Sequence, residues 1–291
     1  MPFVVADGIR THYEVIGDGP PLLMFSPGGF NATIENWSTF SIYERLNLLG
    51  ELSAHYMCVA FDKRESGRSG GRLEQIEWSD YAAQGRALLD HLGIDRTHVM
   101  GGCIGCSIAL TLAVDLPQRV VDLVLYSPAG GPRYRMMQQA RFTEHTNFVR
   151  DSGLSRVVDL ARSSDATFAR DPRVGPWASV LRADEAFANE YARQDVTEYV
   201  QLVVDMFEAL FDSDTVPGPE AEQLTKLEVP ALVVPGNNAN HALSAAHYLR
   251  ECLPLVEFWD VLPEDQSADN APQRIFEFLQ SSDSPRSSAA I

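Results

Sequence analysis

Short apolar runs alternate with amphipathic stretches along most of the chain, and this alternation predicts a mixed α/β architecture. Buried strands give short, continuously apolar runs, whereas helices give longer runs with apolar positions three and four residues apart. Strands are predicted at residues 3–6, 11–16, 21–25, 56–61, 97–100, 120–126, 231–234 and 256–259, and helices at residues 43–49, 80–92, 104–116, 243–252 and 272–279. Because strands separated by helices pair in parallel with right-handed crossovers, we predict a mostly parallel central sheet with helices on both faces.

The alternation stops in the middle of the chain. Residues 133–225 are rich in Arg, Glu and Asp, and helical patterns replace strands there. We interpret this segment as an inserted helical cap over one end of the sheet, with residues 1–132 and 226–280 forming the α/β core. The polar residues 281–291 predict a disordered tail.

Composition and charge narrow the function classes. The 291 residues are 45% hydrophobic, which is enough for a large core, and the formal net charge is −17. This charge repels nucleic-acid backbones and anionic membranes, so neither is an expected partner. We recognise no secretory signal or membrane-spanning run, and four cysteines in such a chain predict a reduced, cytoplasmic protein. We expect a small-molecule substrate with a partly apolar portion. The sequence leaves open whether the protein forms a homo-oligomer.

The run Gly101-Gly102-Cys103-Ile104-Gly105 carries the strongest chemical signal. It follows a predicted strand and precedes a helix that is apolar on nearly every side. In a nucleophile elbow, small residues two positions before and after the nucleophile relieve crowding at the turn, and here both are glycine. Cys103 is therefore predicted to be an exposed nucleophile. The positive N-terminal end of the following helix is expected to lower the pKa of its thiol below about 8.5.

These motifs resemble the α/β-hydrolase fold family, and the resemblance spans nearly the whole chain. A Gly28-Gly29 turn follows the third predicted strand, and residues 62–69 resemble the family's Asp-x-Arg-Gly-x-Gly-x-Ser run, with Glu65 in place of glycine. The elbow is similar to that of proline iminopeptidases, with cysteine replacing serine, and this places the chain nearest the capped branch. The resemblance implies an oxyanion hole formed by the backbone N–H groups of Ile104 and Gly29.

The other two members of a catalytic triad depart from the family pattern. The loop after strand 231–234 is where the family implies an acid, yet it contains His241 and no carboxylate. The loop after the last strand is where the family implies a histidine, yet it contains Glu264 and Asp265. Since a triad is defined by geometry rather than by sequence position, we predict that His241 is the base and that Asp265, or Glu264, orients it.

Two further residues are secondary candidates. Asn238 lies where the family carries its acid, and an amide can orient an imidazole by accepting a hydrogen bond, as asparagine does in cysteine proteases. His145 lies in the predicted cap, from which its side chain would reach Cys103 as a base or as a substrate contact. Each also has a simpler interpretation, as a polar loop residue and as a surface histidine.

Together these residues predict a cysteine-nucleophile hydrolase that acts on an ester, thioester, lactone or similar activated carbonyl of a small molecule through a thioester acyl-enzyme. An acyltransferase that uses the same cysteine is the nearest alternative, because thioesters also pass acyl groups to amines and thiols. A thiol redox function remains an alternative, because Cys103 and Cys106 form a C-x-x-C pair at a helix start. A hydrolase fold retained for binding stays open because the usual acid and base are missing. No metal or organic cofactor is predicted.

Overall fold

The computed structural model describes residues 2–283, and eight strands within them form one sheet. The strands are β1 (Phe3–Ala6), β2 (Ile9–Ile16), β3 (Pro21–Phe25), β4 (Met57–Phe61), β5 (Thr97–Gly102), β6 (Val120–Tyr126), β7 (Ala231–Val234) and β8 (Val256–Phe258). Their order across the sheet is β1-β2-β4-β3-β5-β6-β7-β8. Only the pairings of β2 with β1 and with β4 are antiparallel, so the predicted mostly parallel sheet is confirmed.

Helices follow most of the strands. They are α1 (Asn36–Thr39), α2 (Ile42–Leu46), α3 (Leu48–Leu52), α4 (Trp78–Leu92), α5 (Gly105–Asp115), α6 (Pro132–Ser152), α7 (Leu154–Ser163), α8 (Ala178–Ala183), α9 (Glu185–Tyr191), α10 (Val196–Phe211), α11 (Ala221–Leu224), α12 (Leu243–Cys252) and α13 (Asn270–Asp283). None of the helices in the described part of the chain is long and apolar enough to cross a membrane.

Side chains that alternate along the strands build a separate apolar layer on each face of the sheet. In β3, Leu23 and Phe25 pack in the layer that contains α4, α5 and α12, whereas Leu22 and Met24 pack in the layer that contains α1 to α3 and α13. Successive side chains of a strand point to opposite faces, so continuous apolar runs are what a doubly covered sheet requires. The predicted helices on both faces are confirmed.

Several predicted boundaries differ from the structure by one to four residues. The helix predicted at residues 43–49 is split into α2 and α3, because Asn47 adopts a left-handed conformation with φ 49° that neither helix can continue through. Residues 281–283 of the predicted tail belong to α13, which ends at Asp283. The rest of that predicted tail, residues 284–291, lies outside the described residues.

Glu65 occupies a left-handed position with φ 64°, the conformation that favours the glycine usual in the family's run. Its carboxylate is fully buried and accepts a hydrogen bond from Nε of Arg64 at 2.9 Å, while Nζ of Lys63 lies 3.6 Å away. Burial disfavours the charged carboxylate and raises its pKa, and the two cations oppose that rise. The loop therefore keeps a glycine-like backbone through buried ion pairs.

The regular elements between β6 and β7 are all helical, and residues 132–224 are called the helical segment below. Its two longest helices, α6 and α10, pack against each other. Aromatic rings join them, since the ring centroids of Phe142 and Phe207 are 5.4 Å apart and those of Phe142 and Phe211 are 5.9 Å apart. This aromatic core fixes the position of α6, which contributes to the site described next.

Candidate functional site

Cys103 lies at the sharp turn between β5 and α5, with its backbone in the left-handed region at φ 55°. A Cβ atom placed on Gly101 would lie 2.3 Å from the carbonyl oxygen of Gly105, and one placed on Gly105 would lie 2.2 Å from that of Phe25. Neither backbone contact is tolerable, so glycine is required at both positions. A non-glycine residue held in this conformation costs on the order of 1–3 kcal/mol, and such strain clusters at functional sites.

The Cys103 thiol is buried, and the nearby backbone N–H groups of Ile104 and Gly28 favour its thiolate. Burial raises its pKa to about 11, and the two N–H groups oppose that rise only in part. The expectation of a lowered pKa is therefore wrong, because the helix terminus does not compensate for the loss of water around the sulfur. Gly29, the oxyanion donor expected from the sequence, follows Gly28 and lines the same pocket.

We expect the alkylation rate of Cys103 by iodoacetamide to be low at pH 7 and to rise about tenfold per pH unit up to about pH 11, because only the thiolate reacts. Peptide mass spectrometry at a series of pH values measures the rate. The Cys252→Ala variant removes the one described cysteine that is not fully buried and so simplifies the readout. A rate that reaches its plateau below pH 9 contradicts the raised pKa.

His241 precedes α12 and is fixed by its own loop. A single parallel bridge joins it to Gly130, and its Nδ1 lies 3.1 Å from Oδ1 of Asn238. The same oxygen accepts the backbone N–H groups of Asn240 at 2.9 Å and of His241 at 3.1 Å, which identifies it as the amide oxygen. Since an amide oxygen only accepts, Nδ1 must carry the proton, and the lone pair of the neutral ring is on Nε2.

Nε2 of His241 is buried and has no hydrogen-bond partner within residues 2–283. Burial lowers the pKa of the ring to about 4, so His241 is neutral at physiological pH. An unpaired buried acceptor costs about 1–3 kcal/mol, and such atoms are rare in folded proteins. The imidazole is thus held in the protonation state and tautomer of a general base.

Neither predicted carboxylate contacts this imidazole. Asp265 and Glu264 are exposed on a short helical turn, and Oε2 of Glu264 accepts a hydrogen bond from Nδ2 of Asn237 at 2.8 Å. Nδ1 of His241, to which one of these carboxylates was expected to bind, donates its hydrogen bond to Asn238 instead. In the structure Asn238, rather than Asp265 or Glu264, is the residue that orients His241. The sequence signal for this contact is the Asn-x-x-His spacing.

His145 is not part of this site. It is fully buried within the helical segment, where its Nε2 lies 2.7 Å from the hydroxyl of Tyr199 and its ring packs against Phe168. Burial lowers its pKa to about 4. His145 therefore belongs to the packing of the helical segment rather than to the surroundings of Cys103.

Cys103 and His241 both lie in the wall of one pocket. The helical segment forms the opposite side with Tyr134, Gln138 and Arg141 of α6, and with phenylalanine side chains. Sequence reasoning missed these α6 residues, although their spacing of four and three positions places them on one helix face. The pocket thus combines a thiol, a neutral imidazole and a partly apolar wall.

Cys106 is buried at the second position of α5 and donates a hydrogen bond to the carbonyl oxygen of Gly101 at 3.1 Å. It does not line the pocket that contains Cys103. Burial raises the pKa of its thiol well above the ordinary value. The C-x-x-C spacing therefore joins a cysteine that lines the pocket to one in the core, which disfavours the redox interpretation.

The sequence pattern of the alpha/beta hydrolase fold family matches residues 21–166. A dihydrolipoyllysine-residue acetyltransferase component of the acetoin cleaving system of Cupriavidus necator is 35% identical over 44% of this chain and 32% of its own length. A 2-hydroxymuconate semialdehyde hydrolase of Pseudomonas sp. strain CF600 is 31% identical over 44% of this chain and 43% of its own length. This chain therefore spans less than half of both relatives. A non-heme haloperoxidase of Rhodococcus erythropolis is 27% identical over 82% of each chain.

Solved structures resemble the protein over almost its full length. A meta-cleavage product hydrolase from Pseudomonas fluorescens IP01 has a TM-score of 0.64 and 18% identity, covering 97% of this chain and 98% of that one. An enol-lactonase from Burkholderia xenovorans LB400 has a TM-score of 0.59 and 19% identity, covering 96% and 97%. At these identities the likeness establishes a shared fold, and the sequence match supports the same assignment. The chain belongs to the alpha/beta hydrolase fold family.

Proposed function

We propose that this protein is a hydrolase that attacks an activated carbonyl of a small molecule with Cys103 and passes through a thioester acyl-enzyme. One observation carries the proposal: Cys103 on its strained turn and His241, with an unpartnered Nε2 lone pair, line the same pocket. A nucleophile and a base directed into one cavity are the two groups that acyl transfer requires. The helical segment acts as the cap of this pocket.

In the first half-reaction the sulfur of Cys103 attacks the carbonyl carbon while its proton moves to Nε2 of His241. Because the thiol and the imidazole are both neutral at rest, proton transfer accompanies attack. The carbonyl electron pair moves onto the oxygen, which the N–H groups of Ile104 and of the Gly28-Gly29 turn stabilise. The tetrahedral adduct then expels the leaving group, which takes the proton from His241, and a thioester remains on Cys103.

In the second half-reaction His241 removes a proton from water, and the resulting hydroxide attacks the thioester carbonyl. Collapse of this adduct breaks the carbon–sulfur bond, releases the acid and returns the proton to the sulfur. Asn238 accepts a hydrogen bond from Nδ1 throughout and keeps the ring in one tautomer. An amide stabilises the imidazolium less than a carboxylate would, in keeping with the low pKa of His241.

Acyl transfer to an amine or thiol is the second candidate function. It shares the thioester intermediate, and one of the relatives that this chain resembles is an acetyltransferase component. The two functions differ only in the acceptor that enters the pocket after acylation. A cytoplasmic location and independence from metals and cofactors remain predictions.

Intact-mass spectrometry after incubation with a panel of 4-nitrophenyl esters and acyl thioesters tests the proposal. We expect a mass increase of one acyl group, which peptide mapping places on Cys103. Adding an amine or thiol acceptor then separates the two functions by the products formed. If no member of the panel is turned over or acylates Cys103, the protein is a binding protein that has retained the fold.

A further inference from the structure

The pocket around Cys103 lacks acidic side chains although the protein is strongly acidic. Asp and Glu account for 40 of the 291 residues, yet none of the described residues that line the pocket is Asp or Glu. Arg141 is the one lysine or arginine among those lining residues. Because His241 is neutral, the pocket presents a single positive charge inside a protein whose formal net charge is −17.

Arg141 has no hydrogen-bond or ion-pair partner among residues 2–283. Two of the three other arginines of α6 have partners: Nη1 of Arg135 lies 3.5 Å from Asp214, and Nη1 of Arg150 donates to Asn147 at 3.3 Å. Arg141 and Tyr134 both line the pocket, and the charge of Arg141 opposes the rise in the pKa of Tyr134 that burial causes. An unpaired guanidinium beside a partly apolar cavity favours an anionic ligand, since planar Arg–carboxylate pairs are among the strongest charge-assisted hydrogen bonds.

The geometry of α6 sets how far an anion at Arg141 lies from the nucleophile. Tyr134 and Cys103 line the same pocket. Arg141 follows on the same helix face, about 10 Å further along the axis at 1.5 Å per residue. Phe168 and Phe211 line the same pocket and provide apolar surface for a hydrocarbon chain.

We propose that Arg141 binds a carboxylate on the substrate, so that the preferred acyl donors are half-esters or half-thioesters of dicarboxylic acids with several methylene groups between the two carbonyl carbons. This proposal rests on the acyl-enzyme chemistry proposed above. It assigns a separate role to each wall of the pocket: Cys103 attacks one end of the acyl chain and Arg141 fixes the other.

The test compares two chromogenic esters of equal chain length, the 4-nitrophenyl half-ester of adipic acid and 4-nitrophenyl hexanoate. We expect the unmodified enzyme to favour the half-ester, as measured by the ratio of kcat/KM values. In Arg141→Gln this ratio falls by about 10- to 100-fold, the range of one charge-assisted hydrogen bond. Arg150→Gln, on the same helix but outside the pocket, keeps the unmodified ratio. A ratio in Arg141→Gln within twofold of the unmodified enzyme overturns the proposal.

A binding measurement separates this proposal from the proposed chemistry. Calorimetric titration of the Cys103→Ala protein with adipate requires no turnover, and binding should weaken with added salt because it involves an ion pair. Adipate binding that Arg141→Gln abolishes, with no acylation by any ester, retains the carboxylate site and rejects the acyl-enzyme. Acylation of Cys103 by the hexanoate ester, without preference for the half-ester or binding of adipate, rejects only the carboxylate site.

Discussion

Replacing Cys103 with alanine is expected to abolish the acyl adduct and to lower kcat/KM for 4-nitrophenyl hexanoate by at least about 10⁴-fold. Cys103 is the described residue of the pocket wall that combines a thiol with two backbone N–H groups that favour its thiolate. Alanine fits the elbow with the same Cβ, so the turn itself is not crowded by the change. Turnover and intact mass are the two measurements.

Cys252→Ala is the matched control for this variant, because Cys252 is a partly exposed cysteine on α12 away from the pocket. We expect it to retain both turnover and the adduct. A Cys103→Ala protein that keeps its circular dichroism spectrum and still hydrolyses the ester within tenfold of the unmodified enzyme would show that another group carries the reaction.

Replacing His241 with alanine is expected to lower kcat/KM at pH 7 by about 10²- to 10⁴-fold, the range of a general base. The two proteins should also differ in their pH profiles. The unmodified enzyme keeps its activity down to about pH 5 and loses it as the pH falls through about 4, because only the neutral ring accepts a proton. His241→Ala instead gains activity about tenfold per pH unit towards pH 11, as the Cys103 thiolate forms.

His247→Ala is the control for this second variant, since His247 is exposed on α12 and does not line the pocket. Its profile should overlay that of the unmodified enzyme. If His241→Ala shows a flat profile at unreduced activity, His241 does not act as the base, and its unpartnered nitrogen has another origin.

The sequence predicts the sheet well because the signals that define a buried strand are local. β1, β3, β6 and β7 have the predicted boundaries, and each is a short apolar run that ends at a turn signal. The elbow is predictable for a similar reason, since the glycines that its turn requires, Gly101 and Gly105, lie within two residues of Cys103 in the chain. Asn47 is the counterexample, because a left-handed asparagine inside an apolar stretch leaves little trace in the pattern.

The electrostatics of the site could not be predicted in the same way. The pKa of Cys103 depends on how completely the helical segment and the sheet exclude water from the sulfur, and this is a property of packing between distant residues. The partner of His241 depends on which of two loops lies nearer to its Nδ1 atom. Asn238 is only three residues from His241 in the chain, and its Oδ1 accepts hydrogen bonds from three N–H groups of that loop. Nδ1 of His241 therefore binds Asn238 rather than the more acidic Asp265, which belongs to another loop.

The raised pKa of Cys103 also affects how the protein ages in an oxidising environment. Peroxides convert thiolates, rather than thiols, into sulfenic acids, and further oxidation of these is irreversible. With a pKa of about 11, about one molecule in 10⁴ carries a Cys103 thiolate at pH 7. The burial that keeps the Cys103 thiol protonated is therefore expected to protect it from peroxide.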